Sequence, residues 1–147
     1  MSNIPSNFVV GSIASVSRLI TDEIVQEFAV ISGDTQPLHL DDDYASKTRF
    51  GQRIAHGALL VGMVSAVLGV KMAGQEATII FLGLSVNFVA PVHIGDEVTA
   101  RCEVVNVRDD KPIVKLAVTC VNQTSDEVMN GEAVVYIDPH PIGFASH

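Results

Sequence analysis

The sequence predicts an α+β fold in which one long apolar helix is wrapped by a curled antiparallel sheet. The helix is predicted from a long uncharged stretch of the chain, which runs from Ile54 to Val70. The sheet is predicted from the second half of the chain, where four β-rich runs are separated by short breaks of turn-forming residues. A helix that is apolar all round must be covered, and a twisted sheet can curl round it, so both observations indicate a single core.

The first part of the chain predicts a strand and two helices. Residues 8–18 alternate roughly between Val or Ile and Ser or Ala, which is typical of a strand. Thr21 is the expected N-cap of a helix that ends at Gly33, and the acids after Thr21 suit a helix N-terminus. Residues 34–40 are expected to form a bent loop, and Asp41 is expected to cap a second, short helix.

The long helix is expected to run from Ile54 to Met72 and contains Gly57, Gly62 and Gly69. Glycine lowers helix stability by about 1 kcal/mol relative to alanine, so each of these glycines predicts close backbone packing or a special role.

The four later strands are joined by breaks short enough for antiparallel neighbours. Wrapped round the long helix, they form a hot-dog architecture, with residues 1–138 as one domain. Residues 139–147 have no periodicity and are expected to be a flexible C-terminal tail. The predicted strands are Thr78–Phe88, Glu97–Val107, Ile113–Val121 and Glu127–Ile137.

Composition and charge narrow the class of protein. The 147 residues are 48% hydrophobic and carry a formal net charge of −8, which argues against nucleic-acid binding because phosphates attract basic surfaces.

Cys102 and Cys120 lie in predicted strands and are expected to be buried free thiols of a reducing compartment. Residues 1–8 lack the regions of a secretory signal, and the uncharged stretch is shorter than the roughly 20 residues that span a bilayer. We therefore expect a cytoplasmic protein that does not enter the membrane.

The segment Ser32-Gly-Asp-Thr-Gln-Pro-Leu-His39 contains a carboxylate and an imidazole. Its glycine and proline bend the backbone, so that Asp34 and His39 can face one cleft. A purely structural interpretation also explains most of the segment: Gly33 ends a helix and Asp34 forms an Asx turn. Lys47 to Arg53 is the one basic stretch of the chain, and it is either a solvated connector or a contact for anionic ligand groups.

This segment, extended back to Phe28, closely resembles the hydratase motif of the MaoC-like, or hydratase-2, family. The resemblance implies a hot-dog fold and an (R)-specific enoyl-CoA hydratase, which reversibly adds water syn to trans-2-enoyl-CoA and forms (R)-3-hydroxyacyl-CoA. It implies no metal and no cofactor, since CoA is part of the substrate. Ser65 and three further stretches are also similar to that family: Ile54–Leu60, Phe88–Asp96 and Gly131–Val135.

The resemblance also implies roles for the catalytic residues. Asp34 is expected to activate a water molecule, His39 to hold the same water and help deliver its proton, and the Gly57 N–H to stabilise the enolate-like oxygen. Ser65 is expected to hydrogen-bond to Asp34 or His39, with bonding back to its own helix as the alternative. His56 is either a structural histidine at the start of the helix or a catalytic one.

Substrate contacts and assembly follow from the same resemblance. If a tunnel lies between helix and sheet, Leu68 and Val134 are candidates to limit the acyl length, although both also suit an ordinary core. Lys47, Arg49 and Arg53 are candidates to contact the CoA phosphates. The family works as a homodimer in which two sheets pair edge to edge, and an open sheet edge benefits from such pairing.

One residue departs from the family pattern, and three other functions use the same fold. Gln36 stands where many members carry Asn, and its extra methylene shifts any hydrogen bond that orients Asp34. The alternatives are a thioesterase, a dehydratase acting on acyl carrier protein, and a non-catalytic module that binds acyl thioesters. The intact Asp34, His39 and Gly57 favour the hydratase. Polyhydroxyalkanoate supply, fatty-acid oxidation and fatty-acid synthesis all use this chemistry.

Overall fold

The computed structural model describes residues 4–74 and 77–139. Five antiparallel strands form one open sheet in the order β1-β3-β4-β5-β2. The strands are β1 Ile13–Leu19, β2 Ala77–Phe88, β3 Glu97–Val107, β4 Ile113–Val121 and β5 Glu127–Pro139. The helices lie between β1 and β2: α1 Asp22–Ser32, α2 Pro37–Leu40, α3 Asp42–Ser46 and α4 Gly57–Ala66, which a π-helical segment, Val67–Met72, continues.

The core lies between α4 and one face of the sheet. In β3 and β4 every second side chain is buried, as expected for strands with one face on a core. Leu60 and Val64 of α4 share one buried apolar cluster with Leu116 of β4 and Val135 of β5. Fully burying a side chain of this size stabilises the fold by about 1.5–3 kcal/mol, so the sheet holds α4 in place through these contacts.

The main differences between the observed and predicted element boundaries are in three places. The first strand begins at Ile13 rather than Phe8, because Phe8 is buried in a turn and Gly11 has a positive φ of 94°. The long helix begins at Gly57 rather than Ile54, because Ile54 pairs with His93 in an isolated β-bridge. Part of the expected loop is one helical turn, α2, which has Pro37 at its start.

Close packing explains two glycines and leaves two others unexplained. A Cβ on Gly131 of β5 would lie 2.0 Å from the carbonyl oxygen of Ser85, so β2 can approach β5 only at a glycine. Gly57 is also closely packed, as described below. A Cβ on Gly62 or Gly69 would meet nothing within 4 Å, so the close packing predicted for these two is not found within the chain.

Cys102 and Cys120 are free and buried in β3 and β4, as predicted. Burial raises the pKa of Cys102 to about 12 and that of Cys120 to about 11, so both thiols stay protonated and unreactive near neutral pH.

Two further observations concern the predicted absence of a membrane span and the predicted C-terminal tail. Within the described ranges, no helix combines the length and apolar composition that crossing a membrane requires. The last strand, β5, reaches Pro139, the first residue of the predicted tail. Residues 140–147 lie outside the described part of the chain.

Candidate active site

Asp34 lies in the tight connection between α1 and α2. Gly33 has a φ of 79° and ends α1 by donating its N–H to the Ala29 carbonyl at 2.9 Å. Asp34 then donates its N–H to the Ser32 hydroxyl at 3.1 Å, and its Oδ1 accepts the Gln36 N–H at 3.2 Å. The Asx turn of the structural interpretation is therefore present, and it leaves the Asp34 carboxylate half-buried with Oδ2 free to face His39.

His39 lies in the single turn of α2 and is only 7% exposed. Its Nδ1 lies 2.7 Å from the carbonyl oxygen of Ile54. A carbonyl only accepts hydrogen bonds, so Nδ1 carries the proton and Nε2 of the neutral ring is an acceptor. Nε2 lies 3.9 Å from Oδ2 of Asp34, which is too far for a direct hydrogen bond. Two acceptors thus face each other across a short gap.

His56 is buried against both of these residues. Its ring is 2% exposed and stacks on the His39 ring, with centroids 3.9 Å apart and planes inclined by 28°. Its Nε2–H donates to the main-chain carbonyl of Asp34 at 2.9 Å, and Phe28 packs on it at 4.8 Å between ring centroids. The other ring nitrogen, Nδ1, has no hydrogen-bond partner among the described residues.

Gly57 is the first residue of α4, after His56 as N-cap. The first N–H groups of a helix have no partner within the helix, and the helix dipole makes them favourable donors to an anionic oxygen. A Cβ on Gly57 would lie 3.0 Å from a ring carbon of Phe88, so a side chain at this position would require the ring to withdraw. A cavity of about 260 Å³ opens here, lined by Gly57, His56, Leu60, Phe88 and Arg49 among others.

The three predicted phosphate contacts have different surroundings. Arg49 lines this cavity, with its guanidinium 4.9 Å from the centre of the Phe50 ring. Lys47 is exposed and pairs with Asp43 at 3.2 Å.

The third of them, Arg53, makes contacts within the chain. Its side chain is 11% exposed, donates from Nε to the His39 carbonyl at 2.7 Å, and pairs with Asp22 at 2.5 Å. The Arg53 hydrogen bond holds the pKa of Asp22 below its ordinary value.

The lining of this cavity does not include the other predicted residues, and it does not include Asp34 or His39, which the His56 ring joins to it. Ser65 is exposed on α4, and none of the hydrogen bonds found among the described residues joins its hydroxyl to Asp34 or His39. Leu68 is buried in the core. Val134 is half-buried between the buried Ala133 and Val135, so it lies on the opposite face of β5 from them.

The distances at Asp34, His39 and His56 would also admit a metal ion, since each offers one ligand atom within 4.8 Å of the others. The two rings are nearly parallel, however, so their in-plane lone pairs point side by side rather than at a common ion. A water molecule suits the gap better, because it can donate one proton to Asp34 Oδ2 and the other to His39 Nε2. Each acceptor would lie at the usual separation of about 2.8 Å.

The fold and the paired carboxylate and imidazole define a class of protein, and comparison with known sequences gives the same one. The chain belongs to the MaoC-like domain family, whose pattern matches residues 12–126. It is 42% identical over 126 residues to the (R)-specific enoyl-CoA hydratase of Aeromonas caviae, covering 86% of this chain and 92% of the relative. It is 40% identical over 129 residues to the 3-hydroxybutyryl-CoA dehydratase of Methylorubrum extorquens, covering 87% and 80%.

A solved structure agrees with these sequences. The (R)-hydratase of Aeromonas caviae involved in PHA biosynthesis superimposes with a TM-score of 0.85 at 40% identity, covering 90% of this chain and 98% of that one. The predicted family and the predicted hot-dog fold are therefore confirmed.

Proposed function

We propose that this protein is an (R)-specific enoyl-CoA hydratase, a hydro-lyase that interconverts trans-2-enoyl-CoA and (R)-3-hydroxyacyl-CoA. One observation carries the proposal: Asp34 Oδ2 and His39 Nε2 face each other at 3.9 Å, and the Ile54 carbonyl, which accepts from Nδ1–H, selects the tautomer in which Nε2 of the neutral ring is an acceptor. Two acceptors at this separation hold one water by both of its protons. The names of the relatives with about 40% identity support the same reaction.

Hydration begins at the water held between Asp34 and His39. Asp34 accepts one proton from the water as the water oxygen forms a bond to C3 of the enoyl thioester. The electron pair of the C2–C3 double bond moves towards the thioester carbonyl, and C2 receives a proton through the Asp34–His39 pair. The hydroxyl and the proton come from the same side, which gives syn addition. The (R) configuration requires in addition that one particular face of the substrate meets the water, and the name of the (R)-specific relative supports that face. Dehydration is the same sequence reversed.

The negative charge that develops on the thioester oxygen requires a donor, and we propose the N–H of Gly57, the first residue of α4, for this role. A main-chain donor at a helix N-terminus is already oriented before the reaction, so no reorganisation is needed as the charge forms. The missing side chain lets the thioester approach between α4 and the Phe88 ring. Arg49, which lines the same cavity, is our choice for a CoA phosphate contact, with Lys47 close by in the chain.

We further propose that the protein acts as a homodimer in a reducing compartment, the cytoplasm. In the described sheet, β2 pairs with β5 on one side and forms an edge on the other. Ile80, Phe81 and Leu82 are exposed along β2, and an unpaired apolar edge strand is stabilised by pairing with a second copy. Sedimentation should therefore give a dimer that Leu82→Lys weakens, and a monomeric wild type would contradict this pairing.

The test of function follows the loss of ultraviolet absorbance when trans-2-butenoyl-CoA is hydrated, with the chirality of the product assigned. The wild type should form the (R)-alcohol, and Asp34→Asn should lose activity by about 100-fold or more, because the base is gone. Asp43→Asn, which changes an exposed carboxylate that pairs with Lys47, is the matched control. Release of free CoA thiol by the wild type would indicate a thioesterase instead, and no reaction at all would indicate a binding module.

A further inference from the structure

His56 connects two parts of the active site that are distant in sequence. Its main chain is the N-cap of α4, with φ −62° and ψ 131°, and its carbonyl accepts the Leu59 N–H at 3.1 Å. Gly57, the oxyanion donor, is the next residue. The side chain of His56 extends towards Asp34, and its Nε2–H donates to the main-chain carbonyl of Asp34 at 2.9 Å. One imidazole ring therefore spans from the oxyanion helix to the residue that carries the base.

We propose that His56 is a positioning residue that sets the separation between the Asp34 base and the Gly57 oxyanion donor. The inference rests on the hydratase function proposed above. His56 acts through Asp34 and Gly57 and does not itself contact the reacting atoms.

The ring of His56 is held on both sides. It stacks on His39 at 3.9 Å and packs against Phe28 at 4.8 Å, and only 2% of the residue is exposed. A side chain confined in this way keeps its rotamer, so the hydrogen bond to Asp34 has a fixed direction and length. The same ring also supports the face of His39, whose Nε2 must point at the water.

The second nitrogen of His56 argues against a purely structural role. Nδ1 is buried and has no hydrogen-bond partner in the described part of the chain, which is unfavourable for a polar atom. Phenylalanine or leucine would fill the same space without that loss. A histidine at this position is explained by its other nitrogen, which holds the Asp34 main chain.

The substrate explains why this separation must be controlled. In an enoyl thioester, covalent bonds fix the distance from the carbonyl oxygen to C3. The oxyanion donor and the water held by the base must therefore lie at a matching distance. A misplacement of about 1 Å lowers the rate by about 100-fold even when every catalytic group is present. Loss of the His56 hydrogen bond is expected to act on kcat and to leave CoA binding, which depends on other residues, largely intact.

Two variants separate the hydrogen bond from the ring. His56→Gln places an amide N–H near the position of Nε2 and removes the stacked ring, whereas His56→Phe keeps the ring and removes the donor. With trans-2-butenoyl-CoA we expect His56→Phe to lose about 100-fold in kcat with little change in KM, and His56→Gln to lose no more than about 10-fold. His93→Gln changes a half-buried histidine outside the catalytic residues and is the control.

Several outcomes would overturn the proposal. One is a His56→Phe enzyme at least as active as His56→Gln, and another is a loss that falls on KM rather than kcat. An inactive wild type would reject the hydratase function itself, whereas an active wild type with an equally active His56→Phe rejects only the positioning role.

A measurement on the wild type covers the case in which a variant does not fold. Nitrogen-15 NMR of the imidazole identifies which ring nitrogen of His56 carries the proton. A proton on Nε2 is expected, and a neutral ring protonated on Nδ1 would exclude the bond to Asp34 and with it the proposal.

Discussion

Gly57→Ala tests the oxyanion donor with the smallest change the chain allows. The added Cβ would lie 3.0, 3.1 and 3.2 Å from three ring carbons of Phe88. Carbon atoms pack best at about 3.5–4.0 Å, so the ring must withdraw by roughly 0.5 Å or more. Because Phe88 is 54% exposed, the ring can turn towards solvent at a cost near the lower end of overpacking, about 1 kcal/mol. Alanine favours a helix interior by about 1 kcal/mol over glycine, but Gly57 is the first residue of α4, so only part of this gain applies and the free energy of unfolding should fall by no more than about 1 kcal/mol.

Activity should respond far more strongly than stability. The new methyl group stands where the thioester carbonyl must approach the Gly57 N–H, so the developing oxyanion loses this donor. Loss of one such donor lowers kcat by about 10²–10³-fold, equivalent to about 2.7–4 kcal/mol of transition-state stabilisation. We would measure kcat and KM from the absorbance of trans-2-butenoyl-CoA, and the free energy of unfolding from urea denaturation of the same preparation.

Phe88→Ala, alone and combined with Gly57→Ala, separates the methyl group from the displaced ring. If the methyl itself blocks the thioester, the double variant stays as slow as Gly57→Ala. If the ring causes the loss, removing it restores activity. Gly69→Ala is the control, because a Cβ there meets nothing within 4 Å. Gly57→Ala with kcat/KM within about threefold of the wild type would refute the oxyanion assignment.

Three further predictions follow from other contacts. Gly131→Ala should destabilise the protein by about 3 kcal/mol, because its Cβ would lie 2.0 Å from the Ser85 carbonyl oxygen; a loss below about 1 kcal/mol in urea would contradict that packing. Cys102 and Cys120 have pKa values of about 12 and about 11 against an ordinary 9.0, so in the folded protein they should react slowly with an aromatic disulfide reagent at pH 8; rapid labelling of the native protein would contradict their burial. Because the thiols of the unfolded chain ionise first, the free energy of unfolding should fall as the pH rises from 9.0 through these values. Arg53→Met should raise the pKa of Asp22 towards its ordinary 3.8, as followed by NMR titration, and an unchanged pKa would mean that the ion pair does not form in solution.

The sheet and the proximity of Asp34 to His39 could be predicted because their signals are local. Alternating apolar residues and turn-forming breaks defined the strands from residue 78 onward to within a few residues. Asp34 and His39 lie in one short motif, and the bend between them is specified by glycine and proline. Such features depend on neighbours in the chain, which is the information a single sequence contains.

The surroundings of that pair could not be predicted, because they depend on contacts between distant segments. Arg53 was expected at a phosphate from its basic neighbours, yet its partner is Asp22, in the first turn of α1. His56 was assigned by position alone, since no local pattern reveals that its ring stacks on His39. The one available signal was its place directly before Gly57, where any side chain fixed to the start of α4 also fixes its position relative to the oxyanion donor.

Residues 53–57 organise the site through contacts that come from consecutive positions. Arg53 donates a side-chain hydrogen bond to the carbonyl of His39, and the Ile54 carbonyl accepts the His39 Nδ1–H. The Nε2–H of His56 donates to the carbonyl of Asp34. Gly57 begins α4. The base, the imidazole and the oxyanion donor are therefore all held in position by one short extended segment rather than by the sheet. Small movements between helix and sheet would carry these groups together, so the catalytic geometry is expected to be less sensitive to core substitutions than to changes within this segment.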